Sequence, residues 1–217
     1  MMKQYNYIEL NKANIKRSLM LALGIIISAF GMTLLVKSSL GQSTVTAISY
    51  NIGIVTQMKT GTVLTLVNYV CFIGQIILLK KEFKLIQVLQ LVVTTVFGSV
   101  LNVFLYGIPF ITNMQLNNYL VKLVVLLIGI IFMAYGVSLM VLANLVFMPY
   151  EGLCNVIALK LNVPFGTIRR YVDITFVILS LAIIFAYKIP NTSVREGTVI
   201  YTLLLGTLTN VFMKHIK

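Results

Sequence analysis

The chain has 217 residues, 59% of them apolar and 10% charged, with a mean hydropathy of +0.98. A soluble domain carries about 25% charged residues, so this composition excludes an ordinary water-soluble fold. The net charge of +12 comes from 17 Lys and Arg against 5 acids; the basic residues stand between apolar runs without a nucleic-acid motif, which fits membrane loops and anionic headgroups as partners and not nucleic acid.

Residues 1–16 read as a cytoplasmic N-terminal tail and residues 17–217 as a single transmembrane domain. A bilayer core takes roughly 20 apolar residues per helix. Apolar stretches with almost no internal charge run over Ser18–Val36, Thr62–Leu79, Leu85–Tyr106, Leu123–Leu145, Ile174–Tyr187 and Thr198–Met213. None alternates with period two, so helices are predicted and not barrel strands. The first run follows Lys12, Lys16 and Arg17, is too long for a signal-peptide core and ends at Val36-Lys37 without a small-x-small site. It is expected to stay as the first span.

Two short stretches are polar for membrane segments: Gly41–Met58, with GQSTVTAISYN, and Phe147–Leu161, with PYEGLCN. They fall at matching places in an internal repeat. GIIISAFGMTLLV at 24–36 matches GIIFMAYGVSLMV at 129–141, aligning Gly24 with Gly129 and Gly31 with Gly136. Ser39-Leu40 then falls on Asn144-Leu145 and Gly61-Thr62 on Gly166-Thr167; after a three-residue slip, GSVLNVF at 98–104 falls on GTLTNVF at 206–212. Repeat 1 covers about 17–108 and repeat 2 about 119–217. Interrupted hydrophobic segments at corresponding places in two halves point to re-entrant or broken helices beside a midplane site.

If the short stretches re-enter, the chain has three plus three spans with inverted halves; if they cross, it has four plus four with parallel halves. Placing the N-terminus inside, the first arrangement puts most Lys and Arg, including the KKEFK loop, on the cytoplasmic side, and the second puts that loop outside. The reading favoured is an all-α polytopic membrane bundle of six spans, multi-pass in the cell membrane, with both termini cytoplasmic.

SSLG at 38–41, Glu151-Gly152-Leu153, and the Arg169 to Asp173 pair on the next helix resemble the YczE/YyaS/YitT group of bacterial membrane proteins, over nearly the whole chain. The first-half loop departs from the group's usual Pro and acid, reading Gln42-Ser43-Thr44-Val45, and the second reads Met148-Pro149-Tyr150-Glu151 in place of a Gly-Pro-Arg-acid run. The resemblance implies a fold and a membrane location, and no reaction.

Acids inside a membrane are costly and find partners. Glu9, Glu82 and Glu196 fall in a tail or loops, whereas Glu151 and Asp173 fall beside or within apolar segments. Arg169 and Asp173, four apart, share a helix face. The candidate substrate site is therefore Glu151, Arg169, Arg170 and Asp173 on one side, with Gln42, Ser43, Thr44 and Thr46 on the other. Two arginines favour an anionic group on the ligand; a salt bridge locking the re-entrant helix is the structural alternative. In repeat 1, Asn68 holds the slot of Asp173, Thr46 that of Glu151 and Leu64 that of Arg169.

The glycines Gly24, Gly31, Gly98, Gly129, Gly136 and Gly206 are expected to let helices approach closely. Asn102 and Asn210 are expected to hydrogen-bond across helices, and Tyr106, Tyr119 and Tyr187 to anchor at the interface. Cys71 and Cys154 read as packing residues. No Ser/His/Asp set, HExxH or Walker motif points to an enzyme, and neither a cofactor nor a metal is implied. Two functions remain: a transporter or channel for a small solute, and a membrane-embedded accessory or scaffold subunit.

Overall fold

The computed structural model describes residues 13–83, 85–145 and 148–216. The tail carrying Lys3, Glu9 and Lys12, together with Lys84, Phe147 and Lys217, lies outside the described residues. In chain order the helices are α1 (Ala13–Ser38), α2 (Thr44–Thr56), α3 (Thr60–Leu79), α4 (Leu89–Asn102), the short α5 (Pro109–Thr112), α6 (Tyr119–Ala143), α7 (Pro149–Leu161), α8 (Phe165–Tyr187) and α9 (Glu196–Ile216). Two 3-10 turns precede α4, and a π turn, Val103–Gly107, extends it. No strand occurs among the described residues.

Six helical segments are long and apolar enough to cross a bilayer: Ile15–Ser38, Thr60–Glu82, Leu85–Gly107, Tyr119–Ala143, Phe165–Tyr187 and Glu196–Ile216. The protein is an all-α, multi-pass integral membrane bundle. Helices α2 and α7 have 13 residues each, about 20 Å of length, too short to cross a core of about 30 Å. Helix α8 starts at Phe165, nine residues ahead of the predicted Ile174. Arg169, Arg170 and Asp173 interrupt the apolar run there without interrupting the helix.

The bundle is organised around α1 and α6. A methyl group added at Gly31 would stand 2.7 Å from the Gly129 carbonyl oxygen, and one at Gly24 would stand 2.8 Å from that of Gly136. The two helices thus run antiparallel in backbone contact, as small residues permit in lipid. End-to-end pairings fix the threading. Lys37 Nζ donates to the Thr112 carbonyl at 2.8 Å, and Lys160 pairs with Glu82 at 3.5 Å. Six spans bring both pairs to common ends of the bundle, whereas eight spans would put each pair's members at opposite ends.

Local geometry recurs at the offset of the sequence match. Among the described residues, six non-glycine residues have positive φ: Ser39, Gln57, Lys80, Asn144, Asn162 and Lys188. Ser39 and Asn144, then Gln57 and Asn162, are related by the repeat offset of 105, and Lys80 and Lys188 by the slipped offset of 108. Packing recurs too. α1 meets α4 as α6 meets α9, α2 meets α3 as α7 meets α8, and α3 meets α7 as α8 meets α2. The exception is α3 against α4, whose close contact has no equal between α8 and α9. Gly206 therefore departs from expectation, with nothing within 4 Å of a Cβ placed on it. Asn210 departs with it. It is exposed and bonds to no other helix among the described residues, because the helix it would reach stands away.

The chain's turn into α2 depends on one glycine. Gly41 has φ +117°, and a Cβ there would meet Thr198 Oγ1 at 2.6 Å. Any side chain would be strained by conformation and by contact alike.

Candidate functional site

The site is assembled on Asp173, in the third turn of α8. Its Oδ1 accepts hydrogen bonds from the Thr44 hydroxyl and, at 2.7 Å, from the Tyr150 hydroxyl. Arg169 Nε stands 3.8 Å from Oδ2, one turn earlier on the same helix. Thr44 is the first residue of α2 and Tyr150 the second of α7. A single carboxylate thus ties both short helices to α8, through charge-assisted bonds stronger than neutral ones. The Arg169 guanidinium carbon is 6.0 Å from the Tyr150 ring centroid, at the edge of cation–π range. The ring also packs against Phe176, centroids 5.8 Å apart.

The matching place in the first half is neutral. Asn68 accepts from the Tyr150 backbone N–H at 3.2 Å and donates to the Leu64 carbonyl at 3.0 Å. Gln75 donates to the Pro149 carbonyl at 2.8 Å and to Gln90 Oε1 at 3.0 Å. On the other side, Asn51 donates to Ser180 Oγ at 2.8 Å and accepts from Ser193 Oγ at 2.9 Å. Ser180 lies 105 residues after Gln75, so each short helix is pinned by polar groups from corresponding points of α3 and α8.

The other predicted residues divide. Glu151 joins no ion pair among the described residues, but it interacts electrostatically with Arg169 and Asp173. Its Oε2 is buried without a hydrogen-bond partner. One turn along α7, Asn155 Oδ1 is in the same condition. Gln42 is 1% exposed; its backbone N–H reaches the Ser193 carbonyl at 3.1 Å, and its side-chain oxygen also lacks a partner. Buried acceptors of this kind call for a donor from water or a ligand. Ser43 and Thr46 already have partners, Ser43 with Tyr201 on α9 as well as within α2. Ser43 caps α2, accepting from the Thr46 N–H at 3.2 Å and donating to Thr46 Oγ1 at 2.7 Å, while the Thr46 hydroxyl donates to Met32 Sδ at 3.2 Å. Arg170 is exposed and takes no part in the cluster.

Sequence reasoning missed Tyr150, Asn155 and Tyr201. Tyr201 is 7% exposed on α9, within electrostatic reach of Arg169. Tyr106, expected as an interface anchor, also bonds inward, with its hydroxyl 2.8 Å from Thr60 Oγ1. The available signal was position: Tyr150 directly precedes Glu151 at the start of a short helix. Cys71 and Cys154 are buried and free.

A cavity of about 620 Å³ opens elsewhere, at the C-terminal end of α1. Lys37, Tyr50, Gln57, Tyr106 and Lys122 line it, and neither an acid nor any residue of the Asp173 cluster does. It forms a basic vestibule apart from the cluster.

Fold and site together define a multi-pass membrane protein with a polar cluster drawn from both short helices. The chain belongs to a family of unknown function, DUF6198, which matches residues 15–214. Comparison with curated proteins and with solved structures finds no match.

Proposed function

We infer that this protein is a carrier or channel for a small polar solute in the cell membrane, with both termini cytoplasmic, and that it performs no chemical conversion. The observation that supports this reading best is the convergence on Asp173. Hydroxyls from α2 and α7 meet one carboxylate, where two interrupted segments approach each other, the arrangement used by carriers built from inverted repeats. A common origin of the halves is part of the reading, supported by the paired left-handed residues and the recurring helix contacts. So is kinship with the YczE/YyaS/YitT group, supported by SSLG at 38–41 and Glu151-Gly152-Leu153.

The cluster's charge argues for the solute's class. With Arg170 turned outward, one arginine faces Glu151 and Asp173. The unpartnered atoms of Glu151 and Asn155 are both acceptors. A ligand bearing N–H or O–H donors, neutral or cationic, suits this set better than the anion expected from a pair of arginines. The test is a thermal-shift screen of purified protein against amines, polyols and carboxylates, followed by uptake into liposomes. Amines or polyols should stabilise the protein, and Glu151→Gln should remove the effect. Stabilisation by carboxylates alone would reverse the assignment.

A scaffold role is the second reading. The large apolar side chains of Ile178, Phe185, Val199 and Leu203 on α8 and α9 are 60%, 77%, 61% and 69% exposed. Such a face accepts lipid or a partner helix equally. A scaffold predicts a dry cluster that no solute reaches.

A further inference from the structure

The halves differ at one contact. In the first, α3 and α4 meet backbone to backbone: a Cβ on Gly61 would lie 2.1 Å from the Gly98 carbonyl oxygen, and one on Gly98 would lie 2.5 Å from that of Gly61. Asn102 closes the contact. Its Oδ1 accepts from the Gly61 N–H at 2.8 Å, and its Nδ2 donates to Thr62 Oγ1 at 3.0 Å. The second half carries the same four residue types at the matching positions: Gly166, Thr167, Gly206 and Asn210. There the contact is unmade. Nothing stands within 4 Å of a Cβ on Gly166 or Gly206, and all four residues are exposed.

We propose that α8 and α9 close on each other through Gly166, Thr167, Gly206 and Asn210, reproducing the clasp that Gly61, Thr62, Gly98 and Asn102 already make. Two bare glycines, a hydroxyl and an Asn amide left exposed gain nothing from lipid, whereas in the first half the Asn102 amide bonds both the Gly61 N–H and the Thr62 hydroxyl. Because α1 and α6 run antiparallel, corresponding points of the halves lie toward opposite ends of the bundle. One end is therefore clasped while the other stands open, with Asp173 on α8 beside the open side. Closure of the second clasp and release of the first would exchange the end from which the cluster is reached. This inference rests on the two-half reading of the chain and on no particular solute.

The experiment uses the full chain in liposomes, with Cys71→Ala and Cys154→Ala. Thr167→Cys with Asn210→Cys tests the open clasp, and Thr62→Cys with Asn102→Cys is the reference. Oxidation should give an intramolecular disulfide in both pairs, more slowly in the first. Adding Gly206→Leu should cut crosslinking of the Thr167/Asn210 pair at least tenfold and leave the reference unchanged. Crosslinking of the reference alone, or a Thr167/Asn210 disulfide only between two copies, would overturn the proposal. Spin labels at Ile174 and Leu203 provide a measurement that spares the clasp. Both residues are exposed, at 55% and 69%, and they match Tyr69 and Thr95, whose hydroxyls stand 2.6 Å apart. Two label distances are expected, the shorter gaining population when the first clasp is broken by Asn102→Ala; a single long distance in both proteins would refute closure. Solute uptake plays no part in either readout, so a chain that closes but carries nothing keeps this inference and loses the carrier reading.

Discussion

The Tyr150 hydroxyl donates to the Asp173 carboxylate at 2.7 Å, joining the start of α7 to the third turn of α8. Thr44 brings α2 to the same oxygen. Removing one donor leaves the carboxylate with Thr44 and Arg169 only. A hydrogen bond to a charged group contributes about 1.5–3 kcal/mol. Tyr150→Phe should lower stability by about that amount in a detergent unfolding titration while preserving the helical content. An unchanged midpoint would mean that the bond does not hold α7 in place.

Arg169 and Asp173 are expected to be coupled, at a modest level. They stand 3.8 Å apart with side chains 38% and 23% exposed. That geometry places the coupling nearer about 0.5–1 kcal/mol than the 3–5 kcal/mol lost on breaking a fully buried pair. Arg169→Ala and Asp173→Ala should each destabilise, and the double variant should lose less than the sum. Strict additivity would show the two to be independent.

The glycines separate by what surrounds them. A Cβ at Gly136 would meet the Ser28 backbone nitrogen at 2.4 Å and the Gly24 carbonyl oxygen at 2.8 Å. Gly136→Ala must push α1 and α6 apart, and overpacking of this kind costs about 1–3 kcal/mol. Gly206 has open space around it, and alanine is the better helix former by about 0.5–1 kcal/mol. Gly136→Ala should therefore lower the melting temperature and Gly206→Ala should raise or preserve it. The reverse order would contradict the packing described for α1 and α6.

Most of this architecture was legible in the sequence, because bilayer thickness and hydropathy leave few choices for a long apolar run. The two short helices were also legible, since hydroxyls and amides in GQSTVTAISYN and an acid in PYEGLCN lower their hydropathy below that of a span. The start of α8 was not. Hydropathy registers Arg169, Arg170 and Asp173 as a boundary, while the backbone continues through them. Within the site, spacing placed Arg169 beside Asp173, but it could not say that Arg170, one residue on and about 100° around the helix, points away. Thr44 and Tyr150 meet Asp173 across 129 and 23 residues, contacts that only the packing of α2 and α7 against α8 creates. Nor does the sequence distinguish Gly98 from Gly206, whose surroundings differ because one neighbouring helix is near and the other is not.

The threading of six spans has its own check. Single cysteines at Phe83, Asn113 and Asn191, each in the Cys71→Ala/Cys154→Ala background, should divide by side in intact cells. Asn113 and Asn191 should react with an impermeant thiol reagent, and Phe83 should react only after the membrane is opened. Labelling of Phe83 and Asn191 from the same side would contradict the threading.

A carrier needs the Asp173 cluster on a water-filled path and a scaffold needs it dry, and access to Asn155 separates the two. Its side-chain oxygen is buried without a partner one turn from Glu151. Asn155→Cys in the same background, treated with a small charged thiol reagent in opened membranes, should be modified, and Gly206→Leu, which holds α8 and α9 apart, should leave that reactivity in place. Failure of the reagent to reach position 155, in a protein shown to be folded by its melting curve, would rule out the water-filled path and leave the cluster as a structural lock.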